Sequence, residues 1–97
     1  MLIIFDKSDE DYLDWVERSY QGYVINTTRG FSPDYMVLHK KGCPTITNYN
    51  EMAKEGGFTE RDYVKICAMN KSELREWVKE HGRPQGTFSG NCPTCQP

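Results

Sequence analysis

Four cysteines and two histidines are the side chains of this sequence best suited to binding a transition metal. Cys92 and Cys95 have two residues between them, a spacing at which two thiolates bind one ion within a tight turn. His39 and Cys43 are separated by three residues and offer two further ligands. The pattern predicts a tetrahedral site for structural Zn²⁺, and its expected ligands are His39, Cys43, Cys92 and Cys95.

The other cysteine and histidine leave alternatives open. Cys67 is most simply a small core residue, although it could replace His39 as the fourth ligand. His39 could instead be an ordinary half-buried histidine, and His81 falls in the last turn of a predicted helix, where an imidazole can interact with terminal carbonyl groups. A redox role for Cys92 and Cys95 is disfavoured, because thioredoxin-type pairs lie at a helix N-terminus and only two residues follow Cys95 here.

Catalysis is not expected from these ligands. A catalytic zinc keeps an open position for water, whereas three thiolates with an imidazole complete the tetrahedron and outweigh the charge of the ion. The sequence also lacks an HExxH motif, a glycine-rich phosphate loop and a Ser-His-Asp spacing. We therefore expect a non-catalytic module rather than an enzyme.

Two amphipathic helices are predicted among the elements that must position these side chains. The first covers residues 9–20 after a cap at Ser8 or Asp9, and the second follows a cap at Asn70 or Ser72. The apolar stripe of the first helix is expected to contain Tyr12, Leu13, Trp15, Val16 and Tyr20.

Three strands are predicted from their β-branched and aromatic residues, at positions 23–27, 35–39 and 63–68. Alternation places His39 with Val37 on one face of its strand, and Lys65 with Cys67 on one face of the third. Residues 2–5 could form a further strand or pack against the first helix.

The remaining segments have little apolar periodicity. Residues 45–62 are expected to be mostly loop, with one helical turn around Asn50–Lys54, and residues 83–97 would be unstructured without a metal. The prediction is an α+β fold in which a small antiparallel sheet of about three strands carries two helices and a C-terminal zinc knuckle. Residues 1–97 are expected to form one zinc-stabilised domain.

Charge is distributed unevenly along the 97 residues, whose net charge is −2. Residues 1–20 hold six acidic and two basic side chains, whereas residues 21–97 hold eight acidic and ten basic ones. The first apolar run is too short to span a membrane and is not a secretory signal. We therefore expect a cytoplasmic protein with reduced thiols and no membrane partner.

Five short motifs follow one another along the chain: Gly22-Tyr23-Val24-Ile25-Asn26, Tyr35-Met36-Val37-Leu38-His39 with Cys43, Tyr63-Val64-Lys65-Ile66-Cys67, Leu74-x-x-Trp77 and Cys92-x-x-Cys95. Over residues 12–97 they resemble a small, little-characterised prokaryotic zinc-binding domain associated with restriction-type nucleases and other DNA-defence proteins. A looser similarity links them to the metal-binding domain of Ada-type DNA repair regulators. That domain has two cysteines where this chain has His39 and Cys43, so its alkyl-accepting chemistry is not expected here.

The resemblance implies a structural zinc and a partner that is DNA, or a defence or nuclease protein. Together with the basic excess after residue 20, it predicts a nucleic-acid-binding module, because Arg and Lys neutralise phosphates and Thr hydroxyls donate to them. The candidate contacts are Thr27, Thr28, Arg29, Lys40, Lys41, Lys65 and Arg83.

Other functions stay open at this stage. The basic residues could be scattered solubilising charges, with Lys40 and Lys41 balancing the thiolates. The chain could be a protein–protein adaptor or inhibitor, encoded by a phage or a defence system, that uses the acidic first helix and exposed tyrosines. The candidate tyrosines along the chain are Tyr12, Tyr20, Tyr35, Tyr49 and Tyr63. A third hypothesis is a pocket between the hairpin and Lys65 that sequesters a small anionic ligand.

Overall fold

The computed structural model describes residues 2–48 and 55–97. Within these ranges the elements are β1 (Ile3–Phe5), α1 (Asp9–Arg18), β2 (Tyr23–Thr28), β3 (Met36–Lys40), α2 (Pro44–Thr47), β4 (Tyr63–Ala68), α3 (Lys71–Glu80) and β5 (Gly90–Asn91). The helical turn expected around Asn50–Lys54 and the residue Tyr49 lie outside the described residues. No helix in the described ranges is long and apolar enough to cross a membrane.

The strands form one sheet in the order β1-β4-β2-β3-β5. Neighbouring strands are antiparallel except for β5, which runs parallel to β3. At the centre of the sheet, Ile25 is paired with Leu38 on one side and with Ile66 on the other. The α+β class is as predicted, but the sheet is mixed rather than antiparallel.

Alternation along the strands gives the sheet two buried faces. The first, here called the α3 face, packs against the helical residues Leu74, Trp77 and Val78, and its strand residues are Ile25, Met36, Leu38, Val64, Ile66 and Ala68. The second, the α1 face, carries Val24 and Cys67 against Tyr12 of α1. Because helices cover both sides of the sheet, residues of both alternation phases are buried, and polar strand residues can therefore lie in the interior.

The N-terminus of α1 is fixed by Ser8, whose hydroxyl accepts the backbone N–H of Asp11 at 3.1 Å. The helix ends at Arg18 rather than at residue 20, because Ser19 adopts an extended conformation with a ψ of 135°. Tyr20 is therefore not part of the apolar stripe, and 92% of its surface is exposed.

The cap of α3 is Asn70, whose side chain accepts the backbone N–H of Glu73 at 3.0 Å. At the other end, His81 lies with Nδ1 2.6 Å from the carbonyl oxygen of Trp77. Its ring also stacks on the Trp77 ring at a centroid distance of 4.0 Å. His81 therefore completes the C-terminal turn of α3, the structural role that its position favours.

The structure contains five strands and three helices in its described part, rather than about three strands and two helices. Residues 2–5 do contribute a strand, in which Ile4 is paired with Ile66. Pro44 opens the short helix α2, a position where the missing N–H of proline costs nothing. β5 consists of Gly90 and Asn91, which have no intrinsic preference for a strand, so only tertiary contacts can account for it.

A buried carboxylate joins α1 to the loop that precedes β4. Asp9 accepts hydrogen bonds from the backbone N–H and the hydroxyl of Thr59, both at 2.7 Å, and from the N–H of Phe58 at 3.3 Å. The Asp9 N–H in turn donates to the Glu60 carboxylate at 2.9 Å. These bonds hold the loop, and with it the Phe58 carbonyl group, against the α1 face.

Candidate metal centre

Two parallel strands end side by side and bring together the first two residues of the cluster. His39 is the penultimate residue of β3, and Cys92 directly follows β5. The Cys92 N–H donates to the Leu38 carbonyl at 2.9 Å, and the Ser89 N–H donates to the Met36 carbonyl at 3.0 Å. This parallel pairing sets Cys92 next to His39 in space.

Tight turns bring the other two cysteines to the same place. Cys43 lies at the N-cap of α2, after a turn in which Gly42 has a φ of +79° and the Cys43 N–H donates to the Lys40 carbonyl at 3.2 Å. Cys95 closes the C-terminal turn, where its Sγ accepts the Lys40 N–H at 3.2 Å. A residue with a side chain would be strained at Gly42, since only glycine adopts this φ readily.

The four predicted residues form one cluster whose ligand atoms all lie within 4.8 Å of one another. The Sγ atoms of Cys43 and Cys92 are 3.8 Å apart, which matches the edge of about 3.8 Å in a tetrahedron with Zn–S bonds of about 2.3 Å. All four cysteines of the chain are free thiols. Three sulfur ligands and one imidazole form the Cys₃His set that Zn²⁺ prefers in structural sites.

Electrostatics favour the ligand forms of two of these groups. Burial and the charge of Lys65 lower the pKa of His39 from 6.5 to about 4, so the imidazole is neutral near pH 7, as a metal ligand must be. Burial opposes ionisation of Cys92, but hydrogen bonds from the Cys95 and Thr94 N–H groups outweigh it and lower the Cys92 pKa to about 7. The turn from Cys92 to Cys95 places both N–H groups where they can donate to the Cys92 sulfur.

The thiol of Cys95 behaves differently in the absence of an ion. Burial raises its pKa to about 11, and the neighbouring Cys43 sulfur adds to the rise, although the Lys40 N–H counteracts it. Three sulfurs held this close cannot all carry charge without a cation between them. The cluster therefore favours binding of a divalent cation, which would stabilise the remaining thiolates.

Thr45 supports the cluster from the first turn of α2, and the sequence analysis did not identify it. Its Oγ1 lies 3.0 Å from the Cys43 sulfur and 3.4 Å from Nδ1 of His39. Groups that hydrogen-bond to metal ligands fix their orientation and tune their basicity. The only sequence signal was a hydroxyl residue two positions after a candidate ligand.

Cys67 is not part of this cluster. It is fully buried on the α1 face, where β4 pairs it with Val24. Burial holds the pKa of its thiol far above the ordinary value, although Lys65 counteracts this, so the neutral form is strongly favoured. The structure therefore supports His39, rather than Cys67, as the fourth member of the site.

Two of the predicted nucleic-acid contacts are buried. Thr27 has no exposed surface and Lys65 is 2% exposed, so neither side chain can reach a phosphate on the outside of the domain. Thr27 points to the α3 face, and the Lys65 ammonium donates to Oδ1 of Asn26 at 2.9 Å and to the Phe58 carbonyl at 2.7 Å. These positions correct the sequence-based assignment, because both faces of the sheet are covered and residues of both alternation phases are buried.

Both candidate arginines are engaged in tying loops to the sheet. The Arg29 guanidinium donates to the carbonyl groups of Asp6, Thr59 and Arg61, each at 2.7 Å. The Arg83 guanidinium donates to the Pro33 carbonyl at 2.7 Å, and to carbonyl groups of residues 87 and 88. Either arginine would have to break these bonds to grip a phosphate.

The remaining candidates are spread around the metal cluster and the hairpin. Lys41 donates to the Val16 carbonyl at 2.6 Å, and the Thr28 hydroxyl accepts the Ser32 N–H at 3.1 Å. Lys40 is exposed. The structure thus does not bring the seven predicted contacts together on one surface.

A basic surface that the sequence analysis missed lies along α3. Lys71, Arg75 and Lys79 are one helical turn apart, which places them on one flank of the helix. Lys71 and Arg75 line a cavity of about 290 Å³ together with Thr87, Phe88 and other residues of the C-terminal segment, and its described lining includes no acidic side chain. The i, i+4, i+8 spacing of the three cations was the available signal.

Comparison with known proteins gives no guide to the function. No protein-family model, no curated protein and no solved structure matches this chain. The metal cluster and the surfaces around it therefore carry the functional argument.

Proposed function

We propose that this chain is a non-catalytic, zinc-stabilised binding module. The observation that carries the proposal is the cluster of three thiols and one imidazole within 4.8 Å of one another. Such a set fills all four positions of a tetrahedral ion and leaves none for a water nucleophile. His39, Cys43, Cys92 and Cys95 would hold the ion, whose contribution would be folding free energy rather than Lewis acidity.

The structural role follows from what the ligands connect. Two of them flank the end of β3, and two lie in the C-terminal segment that contains β5. Residues 89–97 of this segment have almost no apolar core of their own, because their buried side chain is Cys92 itself. An ion at this point would fasten the segment to the sheet.

Metal analysis of protein purified without added metal tests the proposal. We expect one zinc ion per chain by native mass spectrometry, retained in Cys67→Ala and lost in Cys92→Ser. Protein that lacks stoichiometric metal, or in which Cys92 is bonded to Cys95 on isolation, would contradict it.

We further propose that the module binds nucleic acid along the basic flank of α3. Lys71 and Arg75 provide cations in the cavity that Phe88 also lines, and its ring is one on which a base could stack. Lys79, one turn further along α3, is a third cation, and it would exchange its ion pair with Glu76 at 2.8 Å for a phosphate. The acidic helix α1 packs on the opposite face of the sheet, so its repulsion of phosphates is weakest here. Association with restriction or defence proteins stays a prediction from the resemblance.

Fluorescence anisotropy with labelled single strands and duplexes at about 50 mM salt is the appropriate assay. Three phosphate contacts predict an affinity that falls about 20- to 40-fold between about 50 and 200 mM salt. Arg75→Ala should weaken binding to all sequences and reduce the salt slope by about one contact. Lys7→Ala removes an exposed charge beside α1 and is the matched control, with no effect expected.

An adaptor function is the second candidate, favoured by the surface of α1. A broad cavity of about 600 Å³ there is lined by acidic residues, among them Glu10, Asp14, Glu17, Glu55 and Glu60. This surface suits a basic protein partner. Zinc-loaded protein that binds neither nucleic-acid form at low salt would favour this function instead.

A further inference from the structure

A cavity of about 210 Å³ opens on the α1 face beside the metal cluster. It lies between β2, β4 and the segments at residues 45–46 and 57–58, and its described lining consists of Asn26, Tyr35, Thr45, Ile46, Gly57, Phe58, Tyr63 and Lys65. No carboxylate is among these residues, whereas one of them is a buried cation. This combination of an apolar wall and a few convergent polar groups is typical of small-ligand sites.

The cation is Lys65, whose residue surface is 2% exposed. An ammonium group carries three N–H donors. Two of them are accounted for in the described ranges, by Oδ1 of Asn26 at 2.9 Å and the Phe58 carbonyl at 2.7 Å. Both acceptors belong to residues that line the cavity, so the Lys65 ammonium lies at its wall. Among the described residues no acceptor takes its third N–H, which can therefore donate to a ligand.

The surroundings of Lys65 keep a charge at this position although the group is buried. The Tyr12 and Phe58 rings lie with centroids 5.9 and 5.8 Å from Nζ, within the range of cation–π attraction. Burial lowers the pKa of Lys65 to about 8, and the charge of the Asp9 carboxylate counteracts it, so the ammonium form still prevails near pH 7. A buried ammonium is stabilised by an anionic group that accepts its remaining N–H and fits the space beside it.

Aromatic residues form the rim of the cavity. The Tyr35 and Tyr63 rings are 5.6 Å apart and tilted by 51°, and both residues are more than a third exposed. Nδ2 of Asn26 lies 3.5 Å from the Tyr35 hydroxyl. The cavity therefore offers an apolar, aromatic entrance and a single positive charge at its inner wall.

We propose that this cavity binds a small monoanion with a planar apolar body, of the aromatic carboxylate class. The carboxylate accepts the open N–H of Lys65, and the ring packs against Tyr63 and Ile46. The volume is below the roughly 300–1,000 Å³ of sites for drug-sized ligands, which limits the ligand to about one ring. The apolar wall, and a single cation with the Asp9 carboxylate in its vicinity, disfavour a strongly hydrated anion such as phosphate.

Benzoate is the probe, titrated into the zinc-loaded protein and followed by the amide resonances of Asn26, Thr45 and Tyr63. We expect saturable shifts with a Kd of about 1 mM or below, as suits a ligand of this size. Benzamide has the same shape without the charge and should bind at least about tenfold more weakly. Inorganic phosphate should not displace benzoate.

Variants separate the site from a general effect of the probe. Lys65→Met should abolish binding, and Tyr63→Ala, at the exposed rim, should weaken it severalfold even if Lys65→Met does not fold. Tyr20→Ala, which removes a fully solvated tyrosine, is the control and should bind normally. Absence of shifts at these amides, equal binding of benzamide, or displacement by phosphate would overturn the inference, and none of these outcomes depends on nucleic-acid binding or on the metal content.

Discussion

Replacement of Cys92 by serine tests whether the metal holds the C-terminal segment on the sheet. Hydrogen bonds that link this segment to β3 include Ser89 N–H to the Met36 carbonyl, Met36 N–H to the Ser89 hydroxyl, Cys92 N–H to the Leu38 carbonyl and Lys40 N–H to the Cys95 sulfur. Together these four contribute about 2–6 kcal/mol, taking about 0.5–1.5 kcal/mol for each bond. Ordering the nine residues from 89 to 97 costs about 9–18 kcal/mol.

The bonds alone therefore fall short of this cost. A structural zinc contributes about 10–16 kcal/mol, which closes the difference to within a few kcal/mol. Cys92→Ser removes a thiolate ligand and with it most of this contribution. We expect β5 to detach, while the sheet of β1 to β4 stays folded, because its two apolar clusters consist mainly of residues that precede the C-terminal segment.

Hydrogen exchange measured at single amides is the assay. Protection at Ser89 and at position 92 should fall at least about 100-fold in Cys92→Ser, while protection at Ile66, in the centre of the sheet, changes little. Cys67→Ala is the matched control, since it trims a buried thiol, costs about 1 kcal/mol and should retain the metal. Metal-free Cys92→Ser with unchanged protection at Ser89 would refute the reasoning, and loss of metal from Cys67→Ala would identify Cys67 as a ligand.

Three further substitutions probe the rest of the fold. A Cβ at Gly22 would lie 2.8 Å from the Trp15 ring, so Gly22→Ala should lower the free energy of unfolding in urea by about 1–3 kcal/mol, whereas Gly30→Ala, with open space around it, should not. Asp9→Ala leaves buried N–H groups unpaired and should lower the free energy of unfolding by about 2–4 kcal/mol in the same assay. A decrease no larger than that caused by substitution of an exposed residue would contradict this role of Asp9. Burial lowers the pKa of Lys65 from 10.5 to about 8, so between these two pH values the unfolded chain binds the proton and the folded chain does not. The free energy of unfolding of the wild type relative to Lys65→Met should therefore rise between pH 8 and 10.5, by on the order of 3 kcal/mol. A difference that stays constant over this window in urea denaturation would contradict the assignment of the low pKa to Lys65.

Local sequence signals predicted the elements that depend on local chemistry. α1 and α3 follow from apolar residues at helical spacing and from Ser8 and Asn70, whose side chains cap them. β5 could not be predicted, since Gly90 and Asn91 become a strand only through bonds to β3 and the metal ligands next to them. Its parallel direction likewise depends on where the C-terminal turn must lie to bring Cys92 next to His39.

The candidate site shows the same division. Residue type and spacing were sufficient to group the four candidate metal ligands, because few arrangements satisfy a tetrahedral ion. The prediction that Lys65 is exposed rested on its charge alone and was wrong, because helices cover both faces of the sheet. A lysine can be buried when its ammonium group donates to carbonyl groups and contacts aromatic rings. The role of Thr45 depends on the path of α2 and had no comparable pattern.

If the cluster binds zinc as proposed, the parallel pairing of β5 with β3 would also determine how the domain behaves in solution when zinc is scarce. β5 is the outermost strand, and the N–H and C=O groups of Met36 together with the Leu38 carbonyl are bonded to the segment that the proposed ion would secure. Release of the ion would uncover the edge of β3, and an unprotected strand edge is a template for pairing with other chains. Zinc supply would then govern solubility as well as local order, and depleted protein should self-associate at concentrations where the loaded form stays monomeric.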